Sequence, residues 1–556
     1  VASLLVATPA VGAAAAALAL PPLAFALGGP AMPLLAAAVG LGAVHAVHRA
    51  PVVLAELRRT RALGATTGLL GRAVLRMRIE PSPERAARFA AATGAGPLAE
   101  SLGEHVRRAA GTPQSGFGGF AAEWREWFPA LERSTALVEA SADAPPGERG
   151  RTLDRATSAA LSGTRERMAA FADEIRGPAT AVYAFGVFLP LALVGALPTA
   201  SAAGVHVPLS AVVLLYDVAL PAALIAATGW LLLRRPVAFP PPRIGRDHPD
   251  VPDRTLPSLA AGVAAACTGW AAAGALVGDW AAGVAFVGFG AGAVLVVRYR
   301  PVMAVRERVR EVETSLDDAL YLVGRRVTEG EAVESALAAA AEEVTGATGD
   351  VLGEAVGVQR RLRVGVRESF LGEHGALSTV PSVRARGAAS LLALAASEGR
   401  PAGRAVVSMA DHLGELTSLE REARRELAQV AETLRNTAGL FAPLVAGATV
   451  ALAATLSKSG ATGGATAGTT AGSSLGAGSA LAGGGGAALT AGGPSVGALG
   501  LAVGAYVLLL AVVLTALSAG LSRGLDRALV GYRVGVALLA ATATYLAAFV
   551  GAGLFF

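Results

Sequence analysis

The chain has 556 residues, 53% of them hydrophobic and only 16% charged, with a formal charge of +5. Soluble domains carry roughly 25% charged residues, and here the apolar residues gather into long blocks, the pattern of a polytopic membrane protein. The single cysteine, Cys267, excludes an intrachain disulfide and a thiolate metal cluster.

A helix needs roughly 20 apolar residues to cross ~30 Å of hydrocarbon. Blocks of that kind occur first at 4–28 and 31–48, predicting a transmembrane hairpin over 1–49. No basic stretch precedes the first block, so it reads as a span and not as a cleaved signal. Residues 50–178 are charged and predict a first cytoplasmic helical domain. Blocks 179–200 and 208–233 form a hairpin over 179–233, and 234–255 is a cytoplasmic connector. Blocks 256–276 and 280–298 form the hairpin over 256–298, followed by a second charged domain at 299–437. A span at 438–456 leads to 457–495, a low-complexity Gly/Ala/Ser/Thr segment expected as external flexible coil. Spans at 496–520 and 534–555 occupy 496–556 around a short cytoplasmic loop. The expected fold is an all-α polytopic membrane protein of about nine spans.

Arginine sets the expected orientation. The chain has one lysine, Lys458, and 46 arginines. Eighteen arginines lie in 50–178 and eighteen in 299–437. The remainder cap spans (Arg49, Arg298), lie in the connector, or fall at Arg523, Arg527 and Arg533. The connectors on the opposite side hold only Lys458. By the positive-inside rule, both charged domains and the N-terminus face the cytoplasm of a multi-pass cell-membrane protein, and Phe556 faces out. No basic surface interleaved with aromatics is present, so nucleic acid is not an expected partner; membrane lipid is.

The charged stretches have helical periodicity. Ala423, Leu427, Val430, Ala431 and Leu434 recur at spacings of three and four. Glu420 and Arg424 sit at i,i+4 on the opposite face. Ala405, Val406, Met409, Leu413 and Leu416 form a second stripe upstream. The two halves also match. Gly186-Val187-Phe188-Leu189-Pro190-Leu191 parallels Gly439-Leu440-Phe441-Ala442-Pro443-Leu444. Gly96, Glu100 and Ser101 parallel Gly330, Glu334 and Ser335. Four spans per unit is an even number, so both copies face the same way, a parallel internal repeat.

Catalytic chemistry is not legible. A nucleotide-hydrolysing loop ends in Gly-Lys-Ser/Thr, and the only lysine follows Ser457. None of the seven histidines pairs with another at a zinc spacing, and His45 and His48 read as interfacial polar residues. No cofactor and no enzymatic role are expected. Asp217, in a span near Pro221, is the candidate intramembrane polar site.

Several segments carry a resemblance. They are Leu316-Asp317-Asp318-Ala319-Leu320, Glu329 to Leu337, Ser397-Glu398-Gly399-Arg400-Pro401-Ala402-Gly403, and Thr433 to Leu444. Together they resemble the type II secretion system F domain, and more closely the platform proteins of archaeal type IV pili and archaella. The first half departs at Pro145-Pro146-Gly147 and in a Gly/Phe-rich insert at 116–120. The resemblance implies a non-enzymatic membrane platform. A cytoplasmic secretion ATPase would dock on the charged domains, and its motion would pass to pilin or archaellin subunits. A homodimer would make a symmetric hub. Candidate contacts, read as exposed charges, are Glu398, Arg400, Arg404, Glu420, Arg421, Arg424 and Arg425. The alternative is a membrane transporter or permease subunit built around Asp217.

Overall fold

The computed structural model describes residues 62–202, 208–235, 248–398, 400–466 and 495–555, apart from Ala95 and Asp253, plus Ile244 and short pieces before residue 62. Among the described residues every element is helical. The expected spans at 4–28 and 31–48 lie outside them, His48 excepted.

The first charged domain begins with α1 (Thr66–Ile79), α2 (Pro83–Thr93), α3 (Pro97–Ala109), α4 (Phe117–Trp124) and α5 (Pro129–Asp143). Helices α2, α3 and α5 open on proline, whose fixed φ suits a first turn and whose missing N–H would have no partner there. Ser82 caps α2, its Oγ accepting from the Arg85 amide at 3.3 Å. The Gly/Phe-rich insert is helix α4, with Phe117 and Phe120 fully buried beside Leu98, Leu102 and Leu131. The next helix, α6 (Pro146–Tyr183), first packs Leu153 and Ala160 into this core.

The spans and second domain follow. A π turn (Ala184–Phe188) joins α6 to α7 (Leu189–Ala202). Helix α8 (Leu209–Val213), a π turn (Leu214–Ala219) and α9 (Leu220–Arg234) form one rod. Next come α10 (Thr255–Leu276) and α11 (Asp279–Thr314). The second domain holds α12 (Leu316–Glu329), α13 (Val333–Glu343), α14 (Ala347–Leu362), α15 (Val366–Leu371) and α16 (Val383–Glu398). Helix α17 (Arg400–Asn436) meets a π turn (Thr437–Phe441), then α18 (Ala442–Thr466); α19 (Val496–Arg523) and α20 (Arg527–Phe555) close the chain.

Seven of these helices are long and apolar enough to cross a membrane, and they coincide with the seven expected blocks from 179 onward. The boundaries differ. Residues 178/179, 298/299 and 437/438 lie inside helices, not in linkers. Gly147–Ala196 and Gly403–Thr455 are unbroken runs of 50 and 53 residues, each about 75–80 Å long at 1.5 Å per residue. The same rods therefore serve the charged domains and the span bundle. Ser457–Thr466, expected as coil, continue α18, because extending a helix that already exists needs no new nucleus. Residues 467–494 lie outside the described ones.

Both periodic stripes face inward as expected. Ala423, Leu427, Ala431 and Leu434 are buried, as are Ala405, Val406, Leu413 and Leu416. The matched glycines Gly96 and Gly330 have φ of +89° and +109°, the left-handed region where a side chain is strained. Each turns the chain just before α3 or α13.

The second matched pair coincides with π turns. Leu189 donates to the Ala184 carbonyl and Ala442 to the Thr437 carbonyl, each five residues back. Each donor immediately precedes a proline, as does Leu220, which bonds the Leu215 carbonyl. Proline lacks an N–H, and its ring crowds the carbonyl four residues earlier, so the preceding turn widens. For Pro190 and Pro443 that carbonyl belongs to Gly186 and Gly439. Hydroxyls from the last two spans reach both. Tyr506 donates to the Gly186 oxygen, and Thr544 to the Gly439 oxygen at 3.4 Å. In lipid no water could satisfy those oxygens.

Candidate docking face and interdomain cleft

The two charged domains pack against each other at one end of the span bundle, α1 and α6 on one side against α17 on the other, with Leu75 of α1 also meeting Leu391 of α16. Arg165 of α6 pairs with Glu422 of α17 at 3.1 Å. His248, in the connector, reaches the Thr379 carbonyl of the second domain at 3.0 Å.

Between the domains lies a cleft of about 770 Å³. Its wall carries Asp154, Asp317, Asp318, Asp411 and Glu415 against Arg78 and Arg404. Acidic charge dominates, so the cleft suits a cationic segment. Asp317 and Asp318 stand in the first turn of α12, where the helix dipole favours them. Leu316, Ala319 and Leu320, interleaved with them, fill the domain core. One resembling segment thus supplies core contacts and cleft wall together. Gly403, in another, is buried where a Cβ would come within 2.7 Å of the Thr328 nitrogen, so α17 starts hard against the end of α12.

The expected contact residues do not form one patch. Arg404 lines the cleft. Glu398 ends α16 and Arg400 begins α17, so they flank one corner; their side chains lie outside the described ones. Arg421, Arg424 and Arg425 are exposed along α17. Glu420 differs from its expected exposure. Its side chain is 14% accessible and pairs with Arg424 and, at 2.6 Å, with Arg384, which also reaches Glu313 at 3.5 Å. Burial alone would push the Arg384 guanidinium down, but Glu420 and Glu313 outweigh it and hold it above the usual range. Glu420 is a structural clamp between α16 and α17, and any partner would have to compete with Arg384 for it. Asp217 lies apart, among the spans, on the π turn before α9, with a buried Oδ1 that has no hydrogen-bond partner among the described residues.

His412 is a residue that sequence reasoning passed over, although its place on the stripe between Met409 and Leu416 was visible. It is 9% exposed and its ring lies against Gly71 of α1, where a Cβ would meet Nε2 at 2.7 Å. It lies about 36 Å of helix before Asn436, in the domain and not in a span. Burial pushes its pKa down to about 4, offset in part by the Thr67 backbone. The sign follows directly. Unfolded or separated, the ring accepts a proton below about 6.5, while the packed ring refuses it until about 4. Stability of the domain contact is therefore full above pH 6.5 and declines as pH falls toward 4, by up to about 3 kcal/mol. Thermal unfolding of the full chain between pH 7 and pH 4 is expected to show this slope, and His412→Leu to flatten it. An equal slope in the variant would assign the effect to the cleft carboxylates.

Compared with protein-family models, curated proteins and solved structures, this chain matches none.

Proposed function

We propose that this chain is a non-enzymatic membrane platform of a type IV pilus-like filament or secretion machine. In this reading a cytoplasmic secretion ATPase docks on the paired helical domains, and its motion passes through the spans to pilin or archaellin subunits. The protein sits in the cell membrane with both charged domains and its N-terminus cytoplasmic and Phe556 external. The observation that carries the reading is the pair of unbroken rods, Gly147–Ala196 and Gly403–Thr455. A displacement at the docking face reaches the bilayer along either rod without crossing a loop. Small residues at span contacts suit a bundle whose helices lie close. The resembling segments Leu316–Leu320 and Thr433–Leu444 fall at the cleft wall and at the π-turn junction, the two places such a coupling part would use.

Arg421 and Arg425 are exposed on α17 and form no ion pair among the described residues. The double charge reversal Arg421→Glu/Arg425→Glu is expected to cut salt-sensitive co-purification of the ATPase by roughly tenfold or more, with the thermal midpoint unchanged. Undiminished co-purification would remove these two residues from the docking face.

One observation favours the permease reading: Asp217, with its unpartnered Oδ1, sits on a π turn among the spans, and an ionisable group at such a place is a functional candidate. The platform reading expects Asp217→Asn to leave filaments and solute uptake unchanged. Lost uptake with intact filaments would favour the permease.

A further inference from the structure

Six arginines from five elements converge where the span bundle meets the charged domains: Arg235 just after α9, Arg310 on α11, Arg424 and Arg435 on α17, Arg523 on α19 and Arg533 on α20. The charge of Arg424 acts on Arg235. Those of Arg533, Arg310 and Arg424 act on Arg523, opposed in part by Glu307, and those of Arg435 and Arg310 act on Arg533. Three of the six are already paired. Glu307 holds Arg310 at 2.7 Å, Glu432 holds Arg435 at 3.1 Å, and Glu420 holds Arg424. The next carboxylate, Asp526, is held by Arg306 at 2.7 Å.

Arg235, Arg523 and Arg533 have no carboxylate at ion-pairing distance among the described residues. Among the described residues the side chain of Arg533 reaches only the Ser522 hydroxyl, at 3.5 Å. The Nε of Arg235 is buried and has no hydrogen-bond partner among the described residues. All three are partly shielded from solvent. Topology-setting arginines need only extend into water or headgroups. Arg523 is repelled by Arg533, and both Arg235 and Arg523 by Arg424, between helices; among the described residues the one carboxylate that offsets any of this at Arg523 is Glu307, already bonded to Arg310.

We propose that this cluster is a binding site for the phosphate headgroup of an anionic membrane lipid. The cluster lies at the ends of the candidate spans Leu209–Arg234 and Val496–Arg523 and near the start of Arg527–Leu554, the depth at which headgroup phosphates lie. Guanidinium groups hold phosphate oxygens through paired, charge-assisted hydrogen bonds, and basic pockets between spans on the cytoplasmic side take such headgroups. A phosphodiester there bridges α9, α19 and α20 and replaces repulsion with attraction. The lipid becomes a clamp between the last hairpin and the rod of α17.

The test uses the full chain in an uncharged detergent, with thermal stability followed as phosphatidylglycerol, phosphatidylcholine or inorganic phosphate is added. Phosphatidylglycerol is expected to raise the midpoint at concentrations at least ~10-fold below those at which phosphatidylcholine does, and raising the salt is expected to erase that preference. Arg523→Gln/Arg533→Gln is expected to abolish the selectivity. Arg107→Gln/Arg108→Gln, exposed in the first domain, is expected to keep it. If inorganic phosphate alone reproduces the stabilisation, the site is a free-anion site and the lipid assignment fails. Equal response to both lipids overturns the proposal outright. Should the double variant not fold, native mass spectrometry of the unaltered protein decides: phosphatidylglycerol retained over phosphatidylcholine supports the site, and equal retention refutes it.

Discussion

Replacing Glu432 by glycine and Thr433 by proline is expected to abolish filament assembly while leaving the chain in the membrane and its ATPase bound. Both residues are exposed on α17, within two turns of the π turn. Their side chains do little for the fold. Glu432 makes a surface pair with Arg435 at 3.1 Å, and Thr433 bonds back to the Gln429 carbonyl at 2.9 Å. The backbone effect is what matters. Proline in a helix interior costs ~3 kcal/mol and glycine ~1 kcal/mol relative to alanine, and together they make a hinge. The buried positions on either side, Ala431 and Leu434, keep their packing partners, so both halves of the rod stay folded while the stiffness between them is lost. Filament counts are expected to fall at least ~10-fold, with co-purified ATPase within about twofold of normal. Glu432→Ala/Thr433→Ala truncates the same side chains without the hinge and is expected to assemble filaments normally. Normal filament numbers in the Gly/Pro variant would end the idea that motion travels along α17.

Gly447→Val is expected to be the most damaging single substitution among the spans. A Cβ at Gly447 would lie 2.4 Å from the Tyr545 carbonyl oxygen and 3.1 Å from the Phe549 amide nitrogen. These are backbone atoms of α20, so no side-chain rotation relieves the clash, and α18 and α20 must separate. Their contact is part of the core around Ala446, Val450, Ala541 and Tyr545. Overpacking of this kind costs about 3 kcal/mol or more, and the thermal midpoint in detergent is expected to fall by about 5 °C or more. Gly551, on α20 itself, has open space around its Cβ position. Gly551→Val is the matched control and is expected to shift the midpoint by no more than about 1 °C. Equal behaviour of the two variants would mean that α18 and α20 do not meet in this way.

The spans were readable because a bilayer imposes length and hydropathy on a segment directly, and seven blocks from 179 onward became seven long helices. The buried face of α17 was readable for a similar reason: Ala423, Leu427 and Leu434 repeat with the helix itself. The helix ends were not. Hydropathy changes where α6 and α17 leave the membrane, but the backbone hydrogen bonding does not, so a compositional boundary was not a structural one. The π turns left a trace in Pro190, Pro221 and Pro443, whose consequences depend on the carbonyl four residues earlier. The site was less legible. Glu420 looks like a free surface charge until Arg384, from another helix, is placed beside it. The arginine cluster gathers residues from 235 to 533, and nothing local in any of the five elements announces the others. His412 was visible as a polar break in an apolar stripe, but its packing against Gly71 requires the first domain to be in place.

The π turns at 184–188 and 437–441 each hold one residue more than an ordinary turn would. Each residue of helix advances the azimuth by about 100°, so that surplus sets how the cytoplasmic length of each rod is rotated about its axis relative to the intramembrane length. A one-residue deletion in a loop is absorbed by slack. Here there is none, and the same deletion would swing an entire helical domain around its rod. The angular phase of each rod therefore hangs on a single proline and the six residues ahead of it.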